Sequence, residues 1–338
     1  MGVLVRRYRK AVPYLLLAPG ILWLIVFYAY PAVQILIASF WSGTLETGFT
    51  FSLSNWTNYS DALDRYQDQF FRSIIYAGSA TILTFLIAYP LAYVIAFRGG
   101  RFKNLLLFMV IAPFFTSFLL RTISWKIILG DTGILLGPLK DIGILDPSFR
   151  LLATPVAVIS GITYAFLPFM TLPIYISLDK IDRRLIEAAQ DLYAGPWRPG
   201  GTIAGAVFGG GLFAVLAYAF LWDYIPMIAA GVVGGSVLGT ALLSQSFIRV
   251  TLPLSLPGVF AGSLLVMIPA MGDYVNATLL GNPSTNMIGN VIQSRFLTNN
   301  DYPTASALSF MLMAMILVAV TIYGRLLGTE NLTTGRGI

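Results

Sequence analysis

Two ionisable residues interrupt long apolar stretches of this sequence, and both could contact a solute. Asp273 is followed by Tyr274 and Asn276, and Arg121 lies near the end of another apolar run. A carboxylate beside aromatic rings suits an organic cation, through ion pairing and cation–π attraction. Because charges inside membrane spans usually face a bundle interior or water, we assign these four residues to a translocation path. The alternatives are that Asp273 has reached the outer water layer and that Arg121 snorkels to the outer interface.

Most other kinds of chemistry are excluded by what the sequence lacks. The chain has no cysteine and no histidine, which excludes disulfides, Cys/His zinc sites, haem and iron–sulfur ligation, and imidazole bases. No lysine precedes serine or threonine, so the phosphate-binding pattern GxxxxGK[ST] is absent. No GxSxG, HExxH or DxDxDG pattern occurs either. The sequence therefore predicts neither enzymatic activity nor a cofactor, and any work driven by ATP requires a partner protein.

The composition places the chain in a membrane. Of 338 residues, 57% are apolar and only 11% are charged, whereas a soluble domain has about 25% charged residues. The net charge of +6 comes from 21 basic and 15 acidic residues. In so apolar a chain this excess indicates positive loops that face a cytoplasm, and it does not indicate a nucleic-acid surface.

Eight apolar stretches approach the roughly 20 residues that a helix needs to cross about 30 Å of hydrocarbon. Six lie at 13–40, 71–97, 104–124, 151–178, 258–280 and 304–327, and two more lie at 201–221 and 227–243. The first is too long for the apolar core of a signal peptide, so we expect it to be retained. The sequence thus predicts an all-α, polytopic transmembrane helix bundle that forms a single domain with eight crossings.

The distribution of charge predicts the orientation of these crossings. Basic residues concentrate at 1–12, 98–103 and 180–198 and in the C-terminal tail, whereas seven of the 15 acidic residues fall in the two loops predicted to lie outside. Lysine and arginine favour the cytoplasmic side of a membrane, so both termini are predicted to be cytoplasmic. The outer segment 125–147 is expected to lie at the interface, with Trp125 as an anchor.

A surface helix is predicted at 177–195, with Asp179 or Asp182 as its N-cap. An apolar stripe runs along it at helical spacing, formed by Ile181, Leu185, Ala188 and Leu192. Arg183 and Glu187 are spaced for an i,i+4 pair on the polar side. Two interpretations follow from these residues: a loop helix that rests on the membrane, or a short helix that docks into the groove of a partner.

Several stretches resemble one family in their order along the chain. The run Ile186, Glu187, Ala188 and Ala189, followed by Asp191 and Leu192, resembles the EAA loop of permease subunits in bacterial ATP-binding cassette importers. The segments 113–125, 251–258 and 261–290 are similar to those of the spermidine/putrescine-type permeases. The resemblance covers nearly the whole chain outside residues 199–246. It departs from the family at Tyr193, where the family usually has glycine.

The resemblance implies a role for this chain as one permease of a pair in the bacterial inner membrane. Its EAA residues Glu187, Ala188, Ala189, Asp191 and Leu192 would couple it to a cytoplasmic ATP-binding subunit dimer. A second permease subunit, an extracytoplasmic solute-binding protein and membrane lipid would be its other partners, without nucleic acid. The implied function is import of a small solute, with polyamine first. The alternatives are a self-sufficient channel or secondary transporter, and a permease-like protein that has lost coupling.

An apolar, glycine-rich insertion of 48 residues at 199–246 interrupts the family pattern. It follows the coupling segment 177–198, and both of its ends must be cytoplasmic if the flanks keep their topology. The simplest arrangement is a transmembrane hairpin that turns near Asp223, with GxxxG spacings that suit close helix packing. A displaced fifth span and a re-entrant loop are the alternatives. In each case the insertion separates the coupling helix from the segment that usually follows it.

Overall fold

The computed structural model describes residue 14 and residues 16–134, 136–192 and 247–326, and these are helical apart from one hairpin and the connecting loops. The helices are α1 (Leu16–Ala38), α2 (Thr57–Arg98), α3 (Gly100–Phe115), α4 (Phe118–Ile128), α5 (Leu136–Asp141), α6 (Pro155–Asp179), α7 (Arg183–Leu192), α8 (Leu252–Met271), α9 (Val275–Leu280), α10 (Ile288–Leu297) and α11 (Tyr302–Leu326). A π-helical turn, Phe247–Thr251, precedes α8. Strand β1 (Trp41–Thr44) pairs antiparallel with β2 (Gly48–Phe51). The predicted helical membrane bundle is confirmed, and the hairpin is an addition to it.

Five of the described helices are long and apolar enough to cross a membrane, namely α1, α2, α6, α11, and α8 counted from Arg249. The second begins at Thr57, 14 residues before the predicted start at residue 71. The prediction started too late because Asp61, Asp64 and Asp68 make this first part of the helix polar. The count of eight crossings stays a prediction, since the two spans of the hairpin at 199–246 lie outside the described residues.

The predicted third span, 104–124, is not one straight helix. Helices α3 and α4 are joined at Thr116 and Ser117 and differ in direction by 98°. Thr116 and Ser117 have extended backbone with ψ near 150° and 136°, and Pro113 lies just before them. An apolar segment of the right length therefore turns sharply inside its own sequence, and Arg121 lies beyond the turn.

Contacts divide the chain into two compact units. One comprises Met1–Phe70 with Ile288–Val318, and the other comprises Phe71–Met287 with Ala319–Ile338. The first unit has a small core of Ala62, Tyr66, Phe70, Ile288 and Leu308. Beside this core, Arg295 Nε donates to the Tyr66 hydroxyl at 3.0 Å. The Arg295 guanidinium also pairs with the Asp301 carboxylate at 3.2 Å, so the positive charge of Arg295 has an acidic partner.

The core of the second unit is built where α6 packs on α8. Helix α6 begins at a favourable cap, since the Thr154 hydroxyl accepts from the Ala157 N–H at 3.3 Å and Pro155 occupies the first position. On α8, Gly258 faces the Pro173 carbonyl and the Ser177 hydroxyl, so closely that a Cβ would collide with both. Small residues of this kind let helix backbones approach each other in a membrane.

Replacing Gly258 with valine is expected to destabilise the second unit by about 3 kcal/mol, because the backbone of α6 cannot move aside without repacking the core. The thermal stability of the detergent-solubilised protein measures this effect. Gly78→Val is the matched control, since a Cβ at Gly78 meets no atom within 4 Å. Equal stability losses in the two variants would show that the close approach at Gly258 has no energetic role.

Candidate functional site

The predicted surface helix is present as α7 (Arg183–Leu192), and it is separate from the end of α6. Asp182 caps it, because its side chain accepts from the Arg184 N–H at 3.0 Å. Of the two residues predicted as N-cap, Asp182 therefore has this role. Arg183, predicted to face Glu187, donates to the Ala96 carbonyl in a long contact of 3.5 Å.

The two adjacent alanines of α7 face opposite ways. Ala189 is 5% exposed and packs on the protein, whereas Ala188 is exposed. Leu185 and Leu192 share the outer face with Ala188, at spacings of three and four residues, and they are 53% and 77% exposed. Helix α7 thus presents an apolar face that none of the described residues covers, here called the α7 outer face and defined by Leu185, Ala188 and Leu192.

Asp179, the other predicted cap, belongs to a contact at the base of α7. The Lys103 ammonium pairs with its carboxylate at 2.6 Å, and the Tyr175 hydroxyl donates to it at 3.3 Å. Lys103 also lies over the Tyr175 ring, 5.3 Å from the centroid. These contacts join the start of α3 to the end of α6, so the end of α6 from which α7 departs is held in place.

The turn Phe247–Thr251 packs against α7. Residues on either side of the predicted insertion therefore contact each other. The predicted insertion, 199–246, lies outside the described residues, and so does Tyr193, where a departure from the family pattern was predicted.

Asp273 and Asn276 form a buried polar cluster at the start of α9. The Asn276 N–H donates to Asp273 Oδ1 at 3.1 Å, and its side-chain amide donates to Oδ2 at 2.6 Å. The Thr122 hydroxyl, on α4, donates to Asn276 Oδ1 at 3.3 Å. Asn276 is 1% exposed and Asp273 is 8% exposed. The cluster caps α9 and ties it to α4, and sequence reasoning did not include Thr122.

Two further residues around this cluster were missed by sequence reasoning. Gly161 of α6 leaves room for Asn276, since a Cβ there would lie 3.0 Å from Asn276 Oδ1. Ala153 has a left-handed backbone with φ of 64°, and its N–H donates to the Leu280 carbonyl at 2.9 Å. A non-glycine residue rarely adopts this conformation; Thr154 and Pro155 mark the helix start that follows, but no residue type at position 153 indicates the left-handed backbone.

Tyr274 and Arg121 are placed differently from the buried pair. Tyr274 is 44% exposed, although it lies between Asp273 and Asn276 in the helix start. The Arg121 guanidinium lies over the rings of Phe114 and Phe118, 5.0 and 5.7 Å from their centroids. The four residues predicted for a path therefore do not form one surface: two are buried in a cap, one is exposed, and one packs on aromatic rings.

No protein-family model matches the chain. The spermidine/putrescine transport system permease protein PotB of Haemophilus influenzae is 35% identical over 305 residues, which cover 90% of each chain. The chain belongs to the spermidine/putrescine-type permease family of ABC importers. Family membership confirms the resemblance found in the sequence and makes the chain a transport subunit and not an enzyme. It is a multi-pass protein of the inner membrane.

Two solved structures of bacterial alginate importers share the fold of this chain. An ABC transporter involved in import of the acidic polysaccharide alginate has a TM-score of 0.61 at 17% identity, over 99% of this chain and 100% of that chain. An alginate ABC transporter in complex with its alginate pentasaccharide-bound periplasmic protein has a TM-score of 0.57 at 18% identity, over 98% of each chain. At this identity the likeness extends to the fold alone.

Proposed function

We propose that this chain is one of two permease subunits in an importer of polyamines such as spermidine and putrescine. The PotB relative is named for these two solutes, and it covers nearly the whole chain at 35% identity. The observation on this chain that carries the coupling part of the proposal is the α7 outer face, which is apolar and uncovered. Apolar side chains in a row on a short polar helix are typical of a helix that docks into a groove.

The ATP-binding subunit is the proposed occupant of that face. Ala188, Leu185 and Leu192 would enter its groove, while Glu187 and Asp191, both exposed, would supply polar contacts at the rim. Ala189 packs on the permease and supports the helix from behind. The pair Lys103–Asp179 and the turn Phe247–Thr251 would then transmit movement of α7 to α3 and α8.

The orientation and the other partners follow from the same proposal. The α7 end of the bundle, with Lys103, Lys180, Arg183 and Arg184, faces the cytoplasm, and both termini lie on that side. A second permease completes the pathway, and a periplasmic binding protein delivers the solute to the opposite side. In one solved transporter of this fold such a periplasmic protein is part of the complex.

Within the path, Tyr274 is the proposed contact for the solute. Its exposed ring offers a cation–π partner for a protonated amine, and the buried residues Asp273 and Asn276 hold it in position from either side. Arg121 has the same sign of charge as a polyamine and is considered separately below.

Uptake of radiolabelled spermidine into proteoliposomes is the experiment that tests the proposed function. The vesicles contain this chain with its partner permease and ATP-binding subunit, and the binding protein is added outside. We expect ATP-dependent uptake that unlabelled putrescine competes with and that glycerol does not affect. Equal uptake by vesicles lacking the ATP-binding subunit would favour a self-sufficient channel. Failure to stimulate ATP hydrolysis, with the subunit bound, would indicate a permease that has lost coupling.

A further inference from the structure

A cavity of about 300 Å³ lies in the second unit, between α2, α3 and α6. Seven of its nine lining residues are apolar, namely Leu91, Leu106, Met109, Val110, Pro113, Leu167 and Pro168, and the other two are Arg121 and Tyr164. The polar pair lies beside Pro113, since the Arg121 guanidinium contacts Phe114. The cavity therefore has a long apolar wall and a single cationic position.

Arg121 and its neighbour Trp125 carry N–H groups for which the described part of the chain offers no acceptor. Arg121 Nε and Trp125 Nε1 are both buried without a hydrogen-bond partner. The two residues are one helical turn apart on α4, and the Trp125 ring stacks flat on Tyr164, with centroids 5.1 Å apart and planes 3° apart. Among the ion pairs of the described residues, none involves Arg121.

The Arg121 guanidinium, which lines the cavity, specifies the chemistry of a ligand. A charged residue in a membrane protein is normally paired, and Arg121 has aromatic rings but no carboxylate beside it. Guanidinium groups bind phosphate oxygens strongly and with defined geometry, whereas they repel a polyamine. The apolar wall next to Arg121 accepts hydrocarbon. An anionic head attached to a hydrocarbon chain satisfies both parts of the cavity.

We propose that the cavity binds one anionic phospholipid, with its phosphate at Arg121 and an acyl chain along Val110 and Leu106. The depth of the site fits a lipid of the outer leaflet. Helix α6 has 25 residues and is about 37 Å long, so it exceeds the hydrocarbon thickness of about 30 Å. Tyr164 is nine residues from Pro155, or about 13 Å along the helix, so the site lies in the half of α6 nearer Pro155, which the predicted orientation places on the outer side.

The acyl chain would run away from Arg121 towards the opposite end of α3. Val110 and Leu106 are three and seven residues before Pro113, so the wall continues for about 10 Å along the helix. The site is independent of the solute that the importer carries. A lipid held there would brace the break between α3 and α4, at which the chain bends by 98°.

Native mass spectrometry of the complete importer tests the proposal. The complex, with both permeases and the ATP-binding subunit, is purified from membranes, delipidated and offered vesicles of phosphatidylglycerol or of phosphatidylcholine. We expect the wild type to retain one phosphatidylglycerol that Arg121→Gln retains about tenfold less well. Val110→Phe, which fills the cavity and keeps the arginine, is expected to lose the lipid as well. Arg150→Gln is the matched control, because Arg150 is exposed and pairs with Asp131 at 3.4 Å away from the cavity.

Three outcomes overturn the proposal. If Arg121→Gln retains phosphatidylglycerol as well as the wild type does, the guanidinium does not bind the lipid. If the wild type retains phosphatidylcholine equally well, or if a free fatty acid is recovered in place of a phospholipid, the ligand is not an anionic phospholipid. If Val110→Phe retains phosphatidylglycerol at the wild-type level, the acyl chain does not lie in the cavity. Because lipid mass is the readout, these results do not depend on whether spermidine is transported.

Discussion

Replacing Ala188 with glutamate is expected to separate the permease from its ATP-binding subunit while the helix bundle stays folded. Ala188 is exposed at the centre of the α7 outer face, between Leu185 and Leu192. In the proposed complex this position is covered by the partner, so the new carboxylate would be buried without a counter-ion. Such a change costs about 3–5 kcal/mol, which corresponds to an affinity loss of at least about a hundredfold.

Co-purification of the ATP-binding subunit with the detergent-solubilised permease measures this loss, and ATP-driven uptake in proteoliposomes confirms it. The adjacent Ala189→Glu is the matched control, since it makes the same chemical change on the buried side of the same helix. That variant is expected to lower the melting temperature of the permease itself, whereas Ala188→Glu leaves it unchanged. If Ala188→Glu retains the subunit and transports at the wild-type rate, the α7 outer face is not the docking surface.

The two alanines also show what the sequence could and could not predict. Helical spacing identified α7 and its apolar stripe, and the resemblance assigned coupling to Glu187, Ala188 and Ala189 together. Spacing alone cannot say which side of a short helix rests on the bundle, because that depends on the direction in which the chain leaves α6. The structure places Ala189 inward and Ala188 outward, so the shared assignment separates into a supporting and a contacting residue.

The spans illustrate a second limit. Length and hydropathy predicted the helices that became α1, α6 and α11 with bounds close to those observed. The same criteria predicted one span at 104–124, where the chain turns by 98°. Hydropathy records how apolar a segment is and carries no information on its direction. The break at Thr116 and Ser117 follows Pro113, a local signal of a helix end that an average of hydropathy over the segment does not register.

Asn276 was predicted to line a translocation path. Because it is buried in a hydrogen-bonded cluster, we expect its replacement to change the stability of the protein and not the binding of the solute. Asn276→Leu is expected to lower the stability of the folded permease by about 2–4 kcal/mol, because a buried Asp273 carboxylate would lose its side-chain donor. Thermal unfolding of the solubilised protein measures the change. The KM for spermidine of the molecules that remain folded should stay at the wild-type value, since Asn276 is 1% exposed.

Tyr274→Leu is the matched variant, with an expected effect of the opposite kind. Tyr274 is 44% exposed and supplies no side-chain bond to the Asp273–Asn276 cap, so the loss of stability should be smaller than in Asn276→Leu, while loss of one cation–π contact should raise the KM about three- to tenfold. The two variants therefore distinguish a residue that supports the path, Asn276, from a residue that contacts the solute, Tyr274. A raised KM with full stability in Asn276→Leu would mean that the buried cluster opens during transport and meets the solute directly. In that case the cap of α9 is a moving part of the path, and the Thr122–Asn276 bond would be the contact that breaks.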